Sequence, residues 1–546
     1  MNIPTLIPRG TDLAWHTARL FRENLRDLVV KVDRGEGEYE AGFFHTSTER
    51  GPGTNYYDDV WSRDGGRGLI ELARFGFIDE AVSVARYFLR HMNGGDHWSR
   101  CIHGKPSAVA VETDGNAMAL LGIYNAWACA GRGADLAEEF LPGCLKVVAW
   151  ATRAADESPY GSLLPCASEL SGNPSGGHVV YAIYPNAAFA YALSGVAEMA
   201  AAAGSDEATQ AEALRRRIAD SIRDLLIAKA GQDTLTPEGI WRNGIDGRDG
   251  SSYDNAYWEG LHFPIFHWTR QIPYIVASDV TGYGMGGSLS EEVDRRSFAY
   301  LLSEMWKGRF FRKYGFVSNT CWSGMGDRHD DTMCGYGQSY FTQGCLMADH
   351  VHAYTLCLEG MAKLAYDGAI ALPATYERSP WLLHECFNHE NYEEGFDHTF
   401  GRMTGDQPGG MDNPGDEGNL VQMAEALKCY RLVVGVDDLR PGRLRIAPRL
   451  PWSWDRLEVE GFPVCLAEGQ ARISYVYNND LARGEAGLRL TSSLPLPACR
   501  IRLGPFSLSA EIGVGLGAPE RTETAQWLWI DSGGGTEIEA SVRIDG

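Results

Sequence analysis

AMALLGIYNAWACA, residues 117–130, and AAFAYALSGVAEMAAAA, residues 187–203, decide the fold. Each run is long enough for roughly four helical turns. Neither has a polar stripe, and a helix that is apolar around its whole circumference has to be enclosed by protein. Working outward, the flanking segments are of another kind. Ser205 stands as an N-cap before a helix expected over 206–229, where Ala211, Leu214, Ile218, Ile222 and Leu225 make one stripe. Arg215, Arg216, Arg217 and Asp220 occupy its other side. Asp79 is placed as the cap of a second amphipathic helix carrying Val82, Ala85, Leu89 and Met92. Others start near Thr11, Leu136, Ser288 and Asp349. Half-exposed and enclosed helices taking turns along a chain imply two concentric rings, and six such pairs would close into a toroid.

The pattern changes after Gly435. Leu457 and Val459 alternate with Glu458 and Glu460, and Cys499, Ile501 and Leu503 alternate with Arg500 and Arg502. A period of two punctuated by Gly and Pro is the signature of strands. The expected organisation is a mainly α toroid over 1–438 followed by an antiparallel β-sandwich over 439–546.

Composition narrows the functional classes. The formal net charge is −23, which repels polyanions, so nucleic acid and acidic membrane surfaces are not expected as partners. Neutral sugars are not penalised. Fifteen Trp and 24 Tyr supply aromatic faces suited to stacking on sugar rings, though Trp fills large cores equally well. The twelve Cys include no C-x-x-C pair, so no zinc knuckle or redox motif is expected. The first twenty residues lack a basic stretch followed by an apolar run, and no apolar segment is long enough for a bilayer. A cytoplasmic chain with reduced thiols and no cofactor is the resulting expectation. The oligomeric state is not legible.

Each inner-helix candidate is preceded by a polar or aromatic cluster: WSRDGG at 61–66, ETDGN at 112–116, YPN at 184–186, YWEG at 257–260, GYGQSY at 335–340 and GDEGN at 415–419. If the inner helices run parallel, all six meet at one end of the toroid in a funnel of carboxylates and aromatics. Such a funnel suits glycoside cleavage, which needs one acid to protonate the leaving oxygen and a second carboxylate to activate water or attack. The acid must keep its proton near neutral pH, which burial or a neighbouring carboxylate arranges.

Several of these segments resemble those of six-hairpin glycosidases. WSRDGG resembles the W-x-R-D segment of glucoamylases, and TDG at 113–115 resembles an inner-helix start of glucoamylase-like enzymes and amylo-α-1,6-glucosidases. GSLLP at 161–165 resembles their GLLP loop, and ENYEEG at 390–395 a stretch in the last loop of glucoamylases and trehalases. IAPRLPWSW at 446–454 is similar to the segment opening their C-terminal β-domain. The resemblance runs through nearly the whole chain in order and implies an (α/α)6 barrel acting on terminal, α-linked neutral sugars of an oligosaccharide or glycoside, by inversion.

It also implies roles. Trp61, Arg63 and Asp64 match the anchor of the terminal sugar, with Asp114 close by in motif. The acid of such enzymes lies before the third inner helix, where Glu169 follows GSLLP; Asp156 and Glu157 precede it. Glucoamylases carry their acid in a W-E-E context that is absent here, and the Trp258–Glu259 pair makes Glu259 the rival. The second carboxylate lies in the last loop, as Glu390 by motif or Glu417 by its place at a helix start. Trp322, Gln338 and Tyr340 are further sugar-binding candidates. Asp327, His329, Asp330 and Asp331 lack alternating ligand spacing, so no metal is assigned to them. His384 and His389 read as structural. The alternatives are a phosphorylase on the same fold, an epimerase or lyase using His329 or His384, and a non-catalytic sugar-binding protein.

Overall fold

The computed structural model describes residues 3–46, 60–103, 112–166, 179–227, 244–253, 332–334, 338–339, 342–343, 345–346, 349–366, 381, 386–388, 419–437, 444–467, 469–512, 517–522 and 524–544. Its principal helices are α1 (Asp12–Val30), α2 (Ser62–Arg74), α3 (Ile78–Arg90), α4 (Thr113–Cys129), α5 (Ala134–Asp156), α6 (Ile183–Ala202), α7 (Glu207–Ser221), α8 (Val351–Tyr366) and α9 (Leu420–Val434). Every residue of α2, α4 and α9 is buried, and α6 exposes only its C-terminal end. Helices α9, α2, α4 and α6 lie side by side in that order. Outside them α1 packs on α9, α3 on α2 and α4, α5 on α4 and α6, and α7 on α6. The two apolar runs are thus inner helices, as expected from their lack of a polar face.

These inner helices run parallel. Along α2 and α4, Ser62 faces Gly115, Gly66 faces Met118 and Ala119, and Leu69 faces Gly122. Along α2 and α9, Gly68 meets Leu420, Arg67 pairs with Glu425 and Glu71 with Arg431. The α2–α4 contact is so close that a Cβ on Gly66 would fall 2.4 Å from the Met118 carbonyl carbon. The double glycine of WSRDGG is therefore a packing requirement.

Ser205 caps its helix as expected, its hydroxyl accepting from the Glu207 amide at 3.4 Å, but the helix is α-helical only to Ser221 before a π-helical turn over Ile222–Ile227. Its stripe is as expected, with Ala211, Leu214, Ile218 and Ile222 buried. The other cap is corrected: Asp79 lies inside the first turn of α3, whose N-cap is Phe77 and makes no side-chain cap bond.

The strands are β1 (Thr5–Arg9), β2 (Val180–Ala182), β3 (Gly244–Asp246), β4 (Ser252–Tyr253), β5 (Thr332–Cys334), β6 (Cys386–Asn388), β7 (Val436–Asp437), β8 (Leu444–Ile446), β9 (Arg456–Leu466), β10 (Gly469–Asp480), β11 (Glu485–Leu496), β12 (Cys499–Phe506), β13 (Ala518–Arg521), β14 (Gln526–Ser532) and β15 (Gly535–Arg543). Two five-stranded sheets form the β-domain, in the orders β1-β9-β10-β11-β15 and β13-β14-β12-β8-β7. Pairing is antiparallel except between β8 and β12. Strand β1 joins this domain from the N-terminal end of the chain, ahead of the first helix. The Tyr477 hydroxyl ties the two sheets by donating to the Gly504 carbonyl at 2.5 Å.

Helices α2, α4 and α9 end against the β-domain. Gly435 closes α9 at φ 74°, in the left-handed region. Cys129, the last residue of α4, forms a disulfide with Cys465 on β9, so the thiols are not all reduced as expected. Arg502 departs from the alternating exposure of β12: it is buried, donating to both Asp349 oxygens at 2.6 Å, with Arg449 on the same carboxylate at 3.0 Å. Burial by itself would raise that carboxyl, but Arg502 and Arg449 hold Asp349 below the ordinary carboxylate range. Among the described residues no helix is long and apolar enough to cross a membrane.

Candidate functional site

The opposite end of the inner ring, where α2, α4, α6 and α9 start, carries the polar clusters. Their asparagines are latches. Asn116 accepts from the Trp98 amide at 2.9 Å and donates to the Trp98 and Glu112 carbonyls. Asn186 accepts from the Leu164 amide at 2.6 Å and donates to the Leu164 and Ala182 carbonyls, holding the GSLLP loop against α6. Asn419 caps α9 by accepting from the Gln422 amide at 3.1 Å. These three residues fix where loops leave the ring.

The charged residues between the latches do something else. Trp61 is the N-cap of α2, and its amide donates to the Thr46 hydroxyl at 3.3 Å. Arg63 Nε donates to Asp64 Oδ1 at 3.2 Å. Arg63 Nη1 lies 3.8 Å from Asp114 Oδ2 and 3.9 Å from Glu112 Oε1. Arg100, brought in by the strand-like bridge between Trp61 and Cys101, sits 3.1 Å from Glu112 Oε1. Its guanidinium lies 4.2 Å from the centre of the Trp61 ring, a cation–π contact. Three carboxylates and two guanidiniums, all but the Arg100 rim nearly or wholly buried, share this small volume.

Asp114 is fully buried. Burial pushes its carboxyl above the usual range, against the pull of Arg63, Arg67 and the Asp114 and Gly115 amides at the start of α4. Guanidinium and carboxylate groups side by side are the chemistry that can meet neighbouring O–H groups as both donor and acceptor.

No protein-family model matches the sequence, and no curated protein matches it. Solved structures do. A GH78 family rhamnosidase of Bacillus sp. GL1 is similar over 88% of this chain and 40% of its own, at 14% identity and TM-score 0.52. An α-L-rhamnosidase of Streptomyces avermitilis, complexed with L-rhamnose, is similar over 99% of this chain and 42% of its own, at 12% identity and TM-score 0.52. An α-L-rhamnosidase from Dictyoglumus thermophilum matches all of this chain and 50% of its own, at 10% identity and TM-score 0.53. The chain shares the fold of these rhamnosidases over most or all of its length. The chain spans half or less of the length of these rhamnosidases. A glycosidase of similar scale matches 77% of this chain over 97% of its own length, at 14% identity and TM-score 0.50.

Within that fold the structure brings together Trp61, Arg63, Asp64 and Asp114, four of the residues singled out from sequence. Gln338 is fully buried, and its side-chain amide donates to the Cys357 carbonyl of α8 at 3.3 Å. Glu169, Glu259, Glu390, Glu417, Trp258, Trp322 and Tyr340 lie outside the described residues, as do Asp327, His329, Asp330, Asp331, His384 and His389. Among the described residues no group of His, Cys, Asp and Glu is arranged to hold a metal ion. Glu112 and Arg100 were missed from sequence. Glu112 stood within ETDGN, yet an acidic residue before an apolar helix reads as an ordinary cap, and here its side chain makes no cap bond.

Proposed function

We propose that the chain is a glycoside hydrolase that removes a terminal, neutral, α-linked sugar by acid/base catalysis with two carboxylates, with inversion. The observation that carries this reading is the buried Trp61–Arg63–Asp64–Asp114 cluster at the end of a glycosidase fold where its inner helices begin. In this reading the inner helices close as an (α/α)6 barrel over 1–438, with the β-domain over 439–546 completed by strand β1. Arg63 and Asp64 hold adjacent hydroxyls of the terminal sugar, and Trp61 walls its ring. Glu169, or else Glu259, donates the proton, and Glu390 or Glu417 activates the water. Inversion requires the two carboxyl groups about 6.5–9.5 Å apart, leaving room for that water.

Two sugars are favoured. The motif resemblance supports an α-glucoside, and likeness to α-L-rhamnosidases supports an α-L-rhamnoside. Incubation with p-nitrophenyl α-D-glucoside and α-L-rhamnoside, with NMR of the anomer first released, tests the reading. Release of the inverted anomer supports it. Turnover that requires inorganic phosphate would replace it with a phosphorylase. Single Glu→Gln changes at 169, 259, 390 and 417 then identify the acid and base, and activity surviving all four overturns the assignment.

A further inference from the structure

Glu112 is wholly buried, was not a sequence candidate, and is not given a chemical step above. Its surroundings are specific. One oxygen, Oε1, faces two guanidiniums: Arg100 Nε at 3.1 Å and Arg63 Nη1 at 3.9 Å. Those two arginines reach the two different halves of the sugar anchor. Arg63 faces Asp64 and Asp114, the hydroxyl-binding half, while Arg100 lies over the Trp61 ring, the stacking half. Glu112 is held from below as well, since its carbonyl accepts from the Asn116 side chain at 2.9 Å and from the Asn116 amide at 3.1 Å. The Glu112 backbone is thus fixed before any ligand arrives, with its carboxylate set between the two guanidiniums.

We propose that Glu112 is the positioning residue of the sugar anchor, the shared counter-ion that keeps Arg63 and Arg100 at the spacing the stacking and hydroxyl-binding halves require. It acts through the two arginines and does not touch the reacting atoms. Two cations this close to each other repel, and the carboxylate between them cancels that repulsion. Removing its charge while keeping its shape lets Arg100 leave the Trp61 face and Arg63 swing toward Asp64 and Asp114. The cluster then still exists but is wrongly spaced, and small misplacements of this kind are expensive for binding and catalysis. The proposal rests on the glycosidase reading only for the nature of the ligand.

The test uses the full chain labelled with 5-fluorotryptophan, with Trp61→Phe assigning the Trp61 fluorine resonance. In the ligand-free protein, Glu112→Gln should move that resonance to the position it takes in Arg100→Met. A resonance left at its wild-type position overturns the proposal. The second readout is calorimetric titration with L-rhamnose and with methyl α-D-glucoside. Glu112→Gln and Arg100→Met should each weaken binding about 10-fold, the scale of one charged contact, and the double variant should lose no more than the worse single one. Losses that multiply in the double variant overturn the link. If Glu112→Gln does not fold, Glu112→Asp, which draws the carboxylate back from both arginines, takes its place, with an unmoved Trp61 resonance counting against the proposal. If the wild type binds neither sugar, the choice of ligand under the glycosidase reading fails, and the fluorine spectrum still decides the role of Glu112.

Discussion

Helix α2 carries charged residues at two depths, and they are managed in opposite ways. In its middle and lower turns, Glu71 takes a two-pronged grip from Arg431 at 2.7 Å on both oxygens, and Glu425 receives Arg67, Lys428 and the Gln343 amide. At its start, one turn above Arg67, Arg63 stands nearly 4 Å from both Asp114 and Glu112. Both layers are buried, so depth alone does not separate them. The reach of the ion pairs from α2 to its neighbour does. The lower layer ties α2 to α9 through pairs of 2.7 and 3.2 Å, whereas the upper layer sets Arg63 at 3.8 and 3.9 Å from the carboxylates at the start of α4.

Attacking the lower layer should give the largest effect. Glu71→Leu leaves Arg431 buried without its carboxylate and should cost about 3–5 kcal/mol in urea unfolding, with the Glu71→Leu/Arg431→Met pair recovering most of it. A cost under about 1 kcal/mol would erase the contrast between the layers. Arg63→Met should do the reverse. It should lower kcat/KM on the cleaved glycoside about 100-fold, roughly 2.7 kcal/mol, beyond any loss of stability from leaving Asp64, Asp114 and Glu112 with one cation fewer, with kcat/KM measured on the folded fraction.

Asp114 gives a pH test of the same contrast. Its folded carboxyl is raised above the unfolded value of 3.8, so between the two the native state binds more protons than the unfolded chain. Native stability therefore falls as pH rises through that window, and the penalty is complete above the folded value. Asp114→Asn removes the penalty. It should stabilise the protein at neutral pH and do so less near pH 4, at the expense of activity. A variant less stable than wild type at neutral pH would mean that Asp114 is already fully satisfied.

The smallest effect belongs to a pair outside both layers. Arg86 and Glu139 meet through two hydrogen bonds of 2.6 and 2.8 Å, but both side chains are nearly half exposed. Arg86→Met should shift stability by no more than about 0.5 kcal/mol, and added salt should reduce even that.

What could be read from sequence follows the range of the forces involved. The enclosure of α4 and α6 was legible because a missing polar face is a local property of one segment. The strands of β9 were legible for the same reason, Leu457 and Val459 being buried and Glu460 exposed. Arg502 was not, because its burial depends on Asp349, 153 residues away, arriving from the helical part of the chain. The start of α3 was not legible because Phe77, which carries no capping group, stands at its N-cap. Trp61, Arg63, Asp64 and Asp114 were found through motif, but Glu112 and Arg100 gain meaning only when the segment around residue 100 is laid beside α2.

The bond between Cys129 and Cys465 gives α4 two contrasting ends. Its first turn holds Asp114 in the charged cluster, and its last residue is welded to β9. A helix is a stiff rod, so a tug on the sheet is transmitted along about 25 Å of α4 to the carboxylate at its far tip. Anyone trimming the β-domain away to obtain the helices alone would be cutting the mooring of that rod.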